Sequence, residues 1–310
     1  MSNKGLVGLA LAAVVLGGAA YFLNNGSRAS APRLNGRPLF PGLDLSAVAR
    51  VEIGDRLTLA AGEGGWTVES LHGYPADRAK IVQNLLKLGE LKVGQVVRGK
   101  KIGSPLQVAL KDASGRALAT LPLGERHAKW GHGRYASFAG ETVLVADALD
   151  AFDGEIGSWC DTSVGGQPTG VLSRVSIAWN GETTEFERGT NRVWSLKGLA
   201  EGEELDDSRT QALDSALSYL SFKTIADPAL TEAQLGFATG CVYSATYAQG
   251  SNSVTRVARV GNATADGSGR YLRFDGGEWT FVVPAYSAQG LMKRRADFLR
   301  EAAKPGEAGK

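Results

Sequence analysis

The chain repeats itself, and a repeat constrains the fold more than any single motif. Residues 133–138 read GRYASF and residues 269–274 read GRYLRF, an offset of 269 − 133 = 136. What surrounds the two copies shows whether six letters recur by chance. Before the first, VARVEI alternates Val51 and Ile53 around Glu52, the period of a half-buried strand. GGWTVES follows, with Trp66 and Val68 on one face. In YPADRAKIVQNLLKLGEL, Pro75 and Asp77 mark a helix start, and Ile81, Val82, Leu85 and Leu86 recur at helical spacing. LQVALKDASGRALATLPLG is a hairpin with its turn at residues 112–115. GRYASF then leads into ETVLVADALDAFDGEI, a strand running into a helix.

The same order returns. LSRVSIAWNGETTEFE carries Val175 and Ile177 and an Asn180-Gly181 hairpin turn. Trp194 stands where Trp66 stood. ELDDSRTQALDSALSYLSF starts a helix near Asp207, with Ala212, Leu213, Ala216, Leu217 and Leu220 on its inner face. A second hairpin, GRYLRF, and a closing strand and helix follow. The offsets grow along the chain: 175 − 51 = 124, 194 − 66 = 128 and 271 − 135 = 136. Lengthened loops between elements kept in order produce that trend. The expected fold is therefore α+β: two tandem similar units, each mainly antiparallel sheet with flanking helices, after one N-terminal transmembrane helix. The expected boundaries are an anchor at 1–24, a linker at 25–45, units at 46–165 and 171–302, a linker at 166–170 and a flexible tail at 303–310.

Composition agrees with a folded body. The 310 residues suit roughly two domains, and 43% hydrophobic with 21% charged residues allows a real core. Paired glycines such as Gly64-Gly65 and Gly276-Gly277 mark turns between short strands. A net charge of +2, from 34 basic and 32 acidic residues, argues against nucleic acid as a partner. Two cysteines, Cys160 and Cys241, are too few for a disulfide scaffold. They do not correspond under the repeat, and buried free thiols are expected in preference to a disulfide.

Residues 5–23, GLVGLALAAVVLGGAAYFL, carry no charge. At about 1.5 Å per residue the run approaches the ~30 Å hydrocarbon core of a bilayer. Tyr21 and Phe22 sit where aromatic rings favour the interface. A cleaved signal peptide is the rival, but its apolar region is normally about 7–15 residues. Here the nearby Ala29-Ser30-Ala31 is followed by Pro32, and no cysteine follows the run for a lipid anchor. A buried soluble helix is the third reading. An uncleaved anchor is expected. Lys4 precedes the run and Arg28, Arg33 and Arg37 follow it, so the charge rule is ambiguous. A short N-tail is easily kept inside, which puts the body on the periplasmic side of the inner membrane.

Gly64-Gly65-Trp66, Pro75-Ala76-Asp77, Leu85-Leu86, and Arg134-Tyr135 with Val143-Leu144-Val145 together resemble the bacterial DUF4340 family, here as a tandem duplication. The resemblance covers nearly all of the first unit and, more loosely, the second, which lacks the Pro-Ala-Asp. It implies a membrane-anchored protein without assigned activity. Its members often resemble accessory proteins of ABC transport systems by gene context, including those of the gliding-motility type.

No motif makes a catalytic centre. GQVVRGKK, residues 94–101, almost spells a phosphate-binding loop, but Lys101 stands where Ser or Thr should meet Mg²⁺. Its Arg98, Lys100 and Lys101 read as a solvated loop. NATADGSGR resembles a calcium loop, but Arg273 occupies the position of the closing Glu, and a hairpin turn is the expectation. Besides His72, His127 and His132 lie five apart near Glu125, without the further ligands a metal needs. The acidic run EGEELDD reads as a loop and helix start. No catalytic, cofactor or metal residue is therefore assigned.

Arg134 with Tyr135, and Arg270 with Tyr271, are the candidate partner-binding or structural residues. An arginine fork beside an aromatic ring suits recognition. Presence in both units favours a structural role, because duplicated binding sites often diverge. The function expected is a non-enzymatic, membrane-anchored accessory or scaffolding subunit of an envelope complex associated with an ABC-type transporter. Its partners are the membrane, through residues 5–23, and other membrane-protein subunits. The alternative is an anchored binding module for a small ligand or envelope polymer.

Overall fold

Short strands bounded by glycine turns make up most of the computed structural model, which describes residues 34–129, 132–166 and 169–300. The expected anchor, the start of the 25–45 linker and the 303–310 tail lie outside the described residues. No helix among the described residues is long and apolar enough to cross a membrane.

The first ten strands and helices are β1 (Arg50–Ile53), β2 (Leu57–Gly62), β3 (Gly65–Val68), β4 (Tyr74–Pro75), α1 (Arg78–Gly89), β5 (Val93–Val96), β6 (Leu106–Lys111), β7 (Ala117–Arg126), β8 (Arg134–Phe138) and β9 (Glu141–Val145). Then come β10 (Val171–Trp179), β11 (Glu182–Arg188), β12 (Trp194–Leu196), α2 (Asp207–Thr210), β13 (Thr224–Ile225), α3 (Glu232–Leu235), β14 (Cys241–Gln249), β15 (Asn252–Ala263), β16 (Gly269–Phe274), β17 (Thr280–Pro284) and α4 (Ala285–Leu291). The strands form two antiparallel sheets, and the protein is mostly β with few helices. The described residues divide into two compact units, 34–55 with 82–153, and 56–81 with 154–300. This division differs from the sequence repeat, because residues 56–81 of the first copy pack in the second unit.

In the first unit the strand order is β1-β6-β7-β8-β9-β5. Alternation builds its core: Val108 faces Leu121 across the β6–β7 ladder, and both are buried with Val51, Ile53, Leu110, Leu123 and Val143. The 112–115 turn forms as expected. Asp112 Oδ1 accepts from Ser114 N and Arg116 N at 2.9 and 3.0 Å, and Gly115 takes φ +85°. Residues 34–39, expected in an exposed linker, are instead tied down. Leu34 and Leu39 are buried, and Gly36 N and Leu39 N donate to Val93 O and Leu91 O at 2.6 and 2.9 Å. Two leucines spaced along the segment give it an apolar reason to dock.

Asp77 starts α1 as expected, its carboxylate accepting from Ala79 N at 2.8 Å. The helix buries Ile81, Asn84, Leu85 and Leu88 but leaves Val82 and Leu86 each 48% exposed. The apolar positions span more of the helix circumference than one packing face can cover. The helix expected after β9 is reduced to two short 3₁₀ turns, Asp150–Asp153 and Ile156–Ser158. Leu149 and Gly154 take φ of +53° and +88°, and left-handed residues at these positions interrupt an α-helix.

In the second unit, β2, β3 and β4 form an antiparallel meander. Asp77 N donates to Trp159 O at 2.8 Å, and Lys80 Nζ reaches Gly157 O and Cys160 O, each at 2.9 Å. The Tyr74 ring meets Phe222 and Trp279 edge-on, with centroids 5.0 and 5.3 Å apart. The eight-stranded sheet has the order β12-β11-β10-β14-β15-β16-β17-β13. Asn180 and Gly181, with φ of +54° and +76°, make the expected β10–β11 turn, whose primed geometry matches strand twist. The long helix expected near Asp207 is only α2 and a 3₁₀ turn at Gln211–Asp214. Leu213, Leu217 and Leu220 are buried as expected. Residue 164 runs beside this segment, with Val164 N donating to Leu220 O at 3.0 Å. A Cβ on Gly165 would lie 1.5 Å from Leu217 O, so only glycine permits that approach.

Six strands recur in one order. β1-β6-β7-β8-β9-β5 of the first unit reads β10-β14-β15-β16-β17-β13 in the second. Trp66 lies on β3, which pairs with β2; Trp194 lies on β12, which pairs with β11. Tyr135 and Tyr271 lie on β8 and β16.

Candidate functional site: the repeated arginines

Each GRY arginine, the second residue of its motif, lies beside an irregularity in the preceding strand. The β7–β8 register shifts between Leu123 and Arg126, and the β15–β16 register shifts between Val260 and Ala263. A glycine sits in each shift. Arg134 Nε donates to Gly124 O at 2.9 Å, and Arg270 Nη1 donates to Gly261 O at 2.8 Å. A bulge leaves a carbonyl outside the ladder, and a guanidinium from the next strand satisfies it. Packing requires the glycine at 261 and leaves little room at 124. A Cβ at 261 would lie 2.0 Å from Leu235 O, and one at 124 would lie 3.1 Å from Ile102 and 3.2 Å from Tyr135.

Beyond that shared bond the two sites differ. Arg134 is buried, also donates to Ala148 O and Leu149 O at 3.3 and 3.4 Å, and pairs with Asp153 at 2.7 Å. Asp153 takes a second partner, Arg126, at 2.5 Å. Burial pushes the Asp153 carboxyl up, but the bonds from Arg126 and Arg134 outweigh it and hold the group below its ordinary range. Arg270 is only partly buried.

The tyrosines diverge more. Tyr135 is half-buried under Lys100, whose Nζ lies 4.1 Å from the ring centroid and 2.5 Å from Glu125 Oε1. The His127 ring lies 5.6 Å away. A pocket of about 250 Å³ opens beside Lys100, Lys101, Glu125 and Tyr135. Tyr271 instead packs on the apolar cluster of Ala226, Leu235, Phe237 and Val282. Each arginine thus bonds a glycine carbonyl in the preceding strand, and the tyrosines share no common environment. Gly124 and Gly261 were missed in the sequence, although 261 − 124 = 137 nearly repeats the tyrosine offset.

The remaining motifs fall apart as chemistry. Residues 94–101 run from β5 into a loop, with no helix after them. NATADGSGR is the β15–β16 turn, where Asp266 accepts from Thr264 Oγ1, Ser268 Oγ and Ser268 N. Those bonds lower the Asp266 pKa to about 2. Asp206 of the acidic run caps α2, and Glu204 pairs with Arg300 at 2.8 Å. His132 is exposed, and His72 sits in a left-handed turn at φ +56°. Among the described residues no three His, Cys, Asp or Glu side chains converge on a metal-sized site. Cys160 and Cys241 are buried free thiols, and burial pushes each up to about 11.

Fold and site together define a mostly β protein of two antiparallel sheets, with one arginine-braced bulge in each compact unit. The chain belongs to the family described as Domain of unknown function (DUF4340), whose model matches residues 66–239. No curated protein and no solved structure matches it.

Proposed function

We propose that this chain is a membrane-tethered, non-enzymatic accessory or scaffolding subunit of an envelope complex associated with an ABC-type transporter. In this reading it is a tandem duplication, held at the inner membrane with its body on the periplasmic side. The observation that carries it is the uncharged run at residues 5–23, long enough to span a bilayer as a helix. A tether raises the effective concentration of the body near other membrane proteins, so weak contacts suffice. Val82 and Leu86, one turn apart on α1 and both exposed, suit such a contact. Two further observations support a role without catalysis. The repeated arginines are engaged in bracing bulges. Both thiols, pushed up to about 11, are protonated at neutral pH and so poor nucleophiles.

Purification of the full chain from membranes in mild detergent tests this reading. Transporter subunits should co-purify, and deletion of residues 5–23 should release the body from carbonate-washed membranes and lose them. Val82→Asp with Leu86→Asp should weaken the association while the protein stays on the membrane. A wild-type chain that carbonate strips from membranes, or that purifies without transporter components, overturns the proposal.

A further inference from the structure

One strand edge of the second unit is unpaired. β12 ends the eight-stranded sheet and has β11 on one side only. On that side Gly189 N donates to Val193 O and Lys197 N to Glu185 O, each at 3.0 Å. Bonding alternates along an antiparallel pair, so the main-chain groups of Trp194 and Leu196 point away from β11. The side chains of these two residues are buried, while Ser195 between them is exposed. Among the described residues, no group bonds the outward N–H and C=O of Trp194 or Leu196. A cleft of about 560 Å³ opens beside Val193 and Trp194.

The repeat shows what such an edge takes. β3 is the counterpart of β12, with Trp66 at the position of Trp194 and Val68 at that of Leu196 (194 − 66 = 128; 196 − 68 = 128). β4 closes the outer edge of β3: Ala76 N donates to Trp66 O at 2.8 Å, and Val68 pairs with Tyr74. In the second copy the corresponding residues, 203–205 ahead of the Asp206 cap, bond elsewhere. Leu205 bridges to Leu299, Glu204 O accepts from Arg300 N at 2.8 Å, and Glu203 pairs with Arg295. A place held by a strand in the first copy is held by none of the described residues in the second. Edges of this kind template pairing with another chain unless charge, proline or a covering segment blunts them. Trp194-Ser195-Leu196 carries neither charge nor proline.

The residues around the edge select the chain that pairs with it. Two outward-facing residues, one position apart, are complementary to themselves. With two copies antiparallel about a two-fold axis at Ser195, Trp194 of each faces Leu196 of the other, and four main-chain hydrogen bonds form. The same arrangement brings the start of one β12 to the end of the other. Arg192 stands before the strand and Glu201 after it, both exposed and, among the described residues, without an ion-pair partner. Val193 and Leu199, 52% and 42% exposed, flank the strand in the same way. Each end therefore meets opposite charge and apolar surface on the other copy.

We propose that the β12 edge pairs with the β12 edge of a second copy of this chain, joining two eight-stranded sheets across a two-fold axis at Ser195. Pairing of this isologous kind closes on itself and does not propagate. The inference rests on neither the membrane tether nor a transporter partner.

Ser195 is the probe, because it is exposed and would lie opposite itself with about 4.5 Å between Cα atoms. Full chain carrying Ser195→Cys, mildly oxidised in its membranes, should give a disulfide-linked dimer on a non-reducing gel, since that spacing suits the bond. Ser251→Cys, on the β14–β15 turn, should give none. Cys160 and Cys241 are buried and should not contribute. In detergent, light scattering of the wild-type chain should show a concentration-dependent dimer. Ser195→Lys and Ser195→Asp each set like charges opposite one another, so each alone should weaken the dimer at least about tenfold, and a 1:1 mixture of the two should restore it. No cross-link at 195, a cross-link to a different protein, equal cross-linking at 251, or dimerisation that ignores the charge changes overturns the proposal.

Discussion

Arg134→Ala and Arg270→Ala change the same letter of the repeat, yet they should differ in cost. Arg134 is buried, bonds three backbone carbonyls and pairs with Asp153 at 2.7 Å. Breaking one side of a buried ion pair costs about 3–5 kcal/mol. Hydrogen bonds to a charged group are worth about 1.5–3 kcal/mol each, but bonds sharing one guanidinium do not add. Asp153 keeps Arg126, which softens the loss, so the expectation for Arg134→Ala is about 3 kcal/mol. Arg270 contributes one such bond to one carbonyl, and its partial exposure puts it at the low end, about 1.5 kcal/mol. Urea unfolding of the full chain at neutral pH, followed by near-ultraviolet circular dichroism, measures both. If the units unfold in separate steps, each variant should shift the step of its own unit. Acid supplies a second arm. The folded Asp153 carboxyl lies below its ordinary value, so its contribution is complete above the ordinary carboxylate range and is lost as pH falls through the lowered value. Without Arg134 that lowering shrinks, and the wild-type advantage should narrow on acidification. Equal costs for the two variants, or a penalty for Arg134→Ala that ignores pH, would refute the brace.

Three further outcomes follow from the packing. Gly261→Ala places a Cβ 2.0 Å from Leu235 O, against backbone, and should destabilise by about 2 kcal/mol or more in the same urea assay. With their thiols pushed up to about 11, Cys160 and Cys241 should resist iodoacetamide at neutral pH in the folded chain and react together on unfolding, as mass spectrometry can read. Thr231 and Gln234 form a reciprocal capping box at α3, so Thr231→Ala should cost about 1 kcal/mol and speed amide exchange in that helix.

The strands and turns were legible because their signals are local. Alternation at Val51 and Ile53, the 112–115 turn and Asn180-Gly181 each specify geometry through a few adjacent residues. The helices were not. Ala212, Leu213, Ala216, Leu217 and Leu220 keep helical spacing, but the approach of Gly165 to Leu217 O belongs to a distant segment that no local pattern reports. The same holds for residues 34–39, where Gly36 and Leu39, inside a proline-rich stretch, bond Val93 and Leu91 more than fifty residues on. At the repeated motif, the sequence marked the arginines as partner-binding or structural candidates, but the bulge glycines whose carbonyls they bond lie ten and nine residues upstream (134 − 124 = 10; 270 − 261 = 9).

Residues 56–81 pack in the unit that is otherwise built from residue 154 onward. During synthesis that ordering becomes a delay. The segment leaves the ribosome at least 154 − 81 = 73 residues before the rest of its unit begins to emerge, roughly 4–15 s at ordinary elongation speeds. For that interval Leu57, Leu59 and Val68 have no finished core to enter, although all three end fully buried. A nascent chain in this state offers apolar strand to any holdase nearby, and the first unit must fold around an unfinished loop. Truncation at the 166–170 boundary would fix the interval permanently, leaving an N-terminal fragment whose residues 56–81 lack most of the unit they pack in.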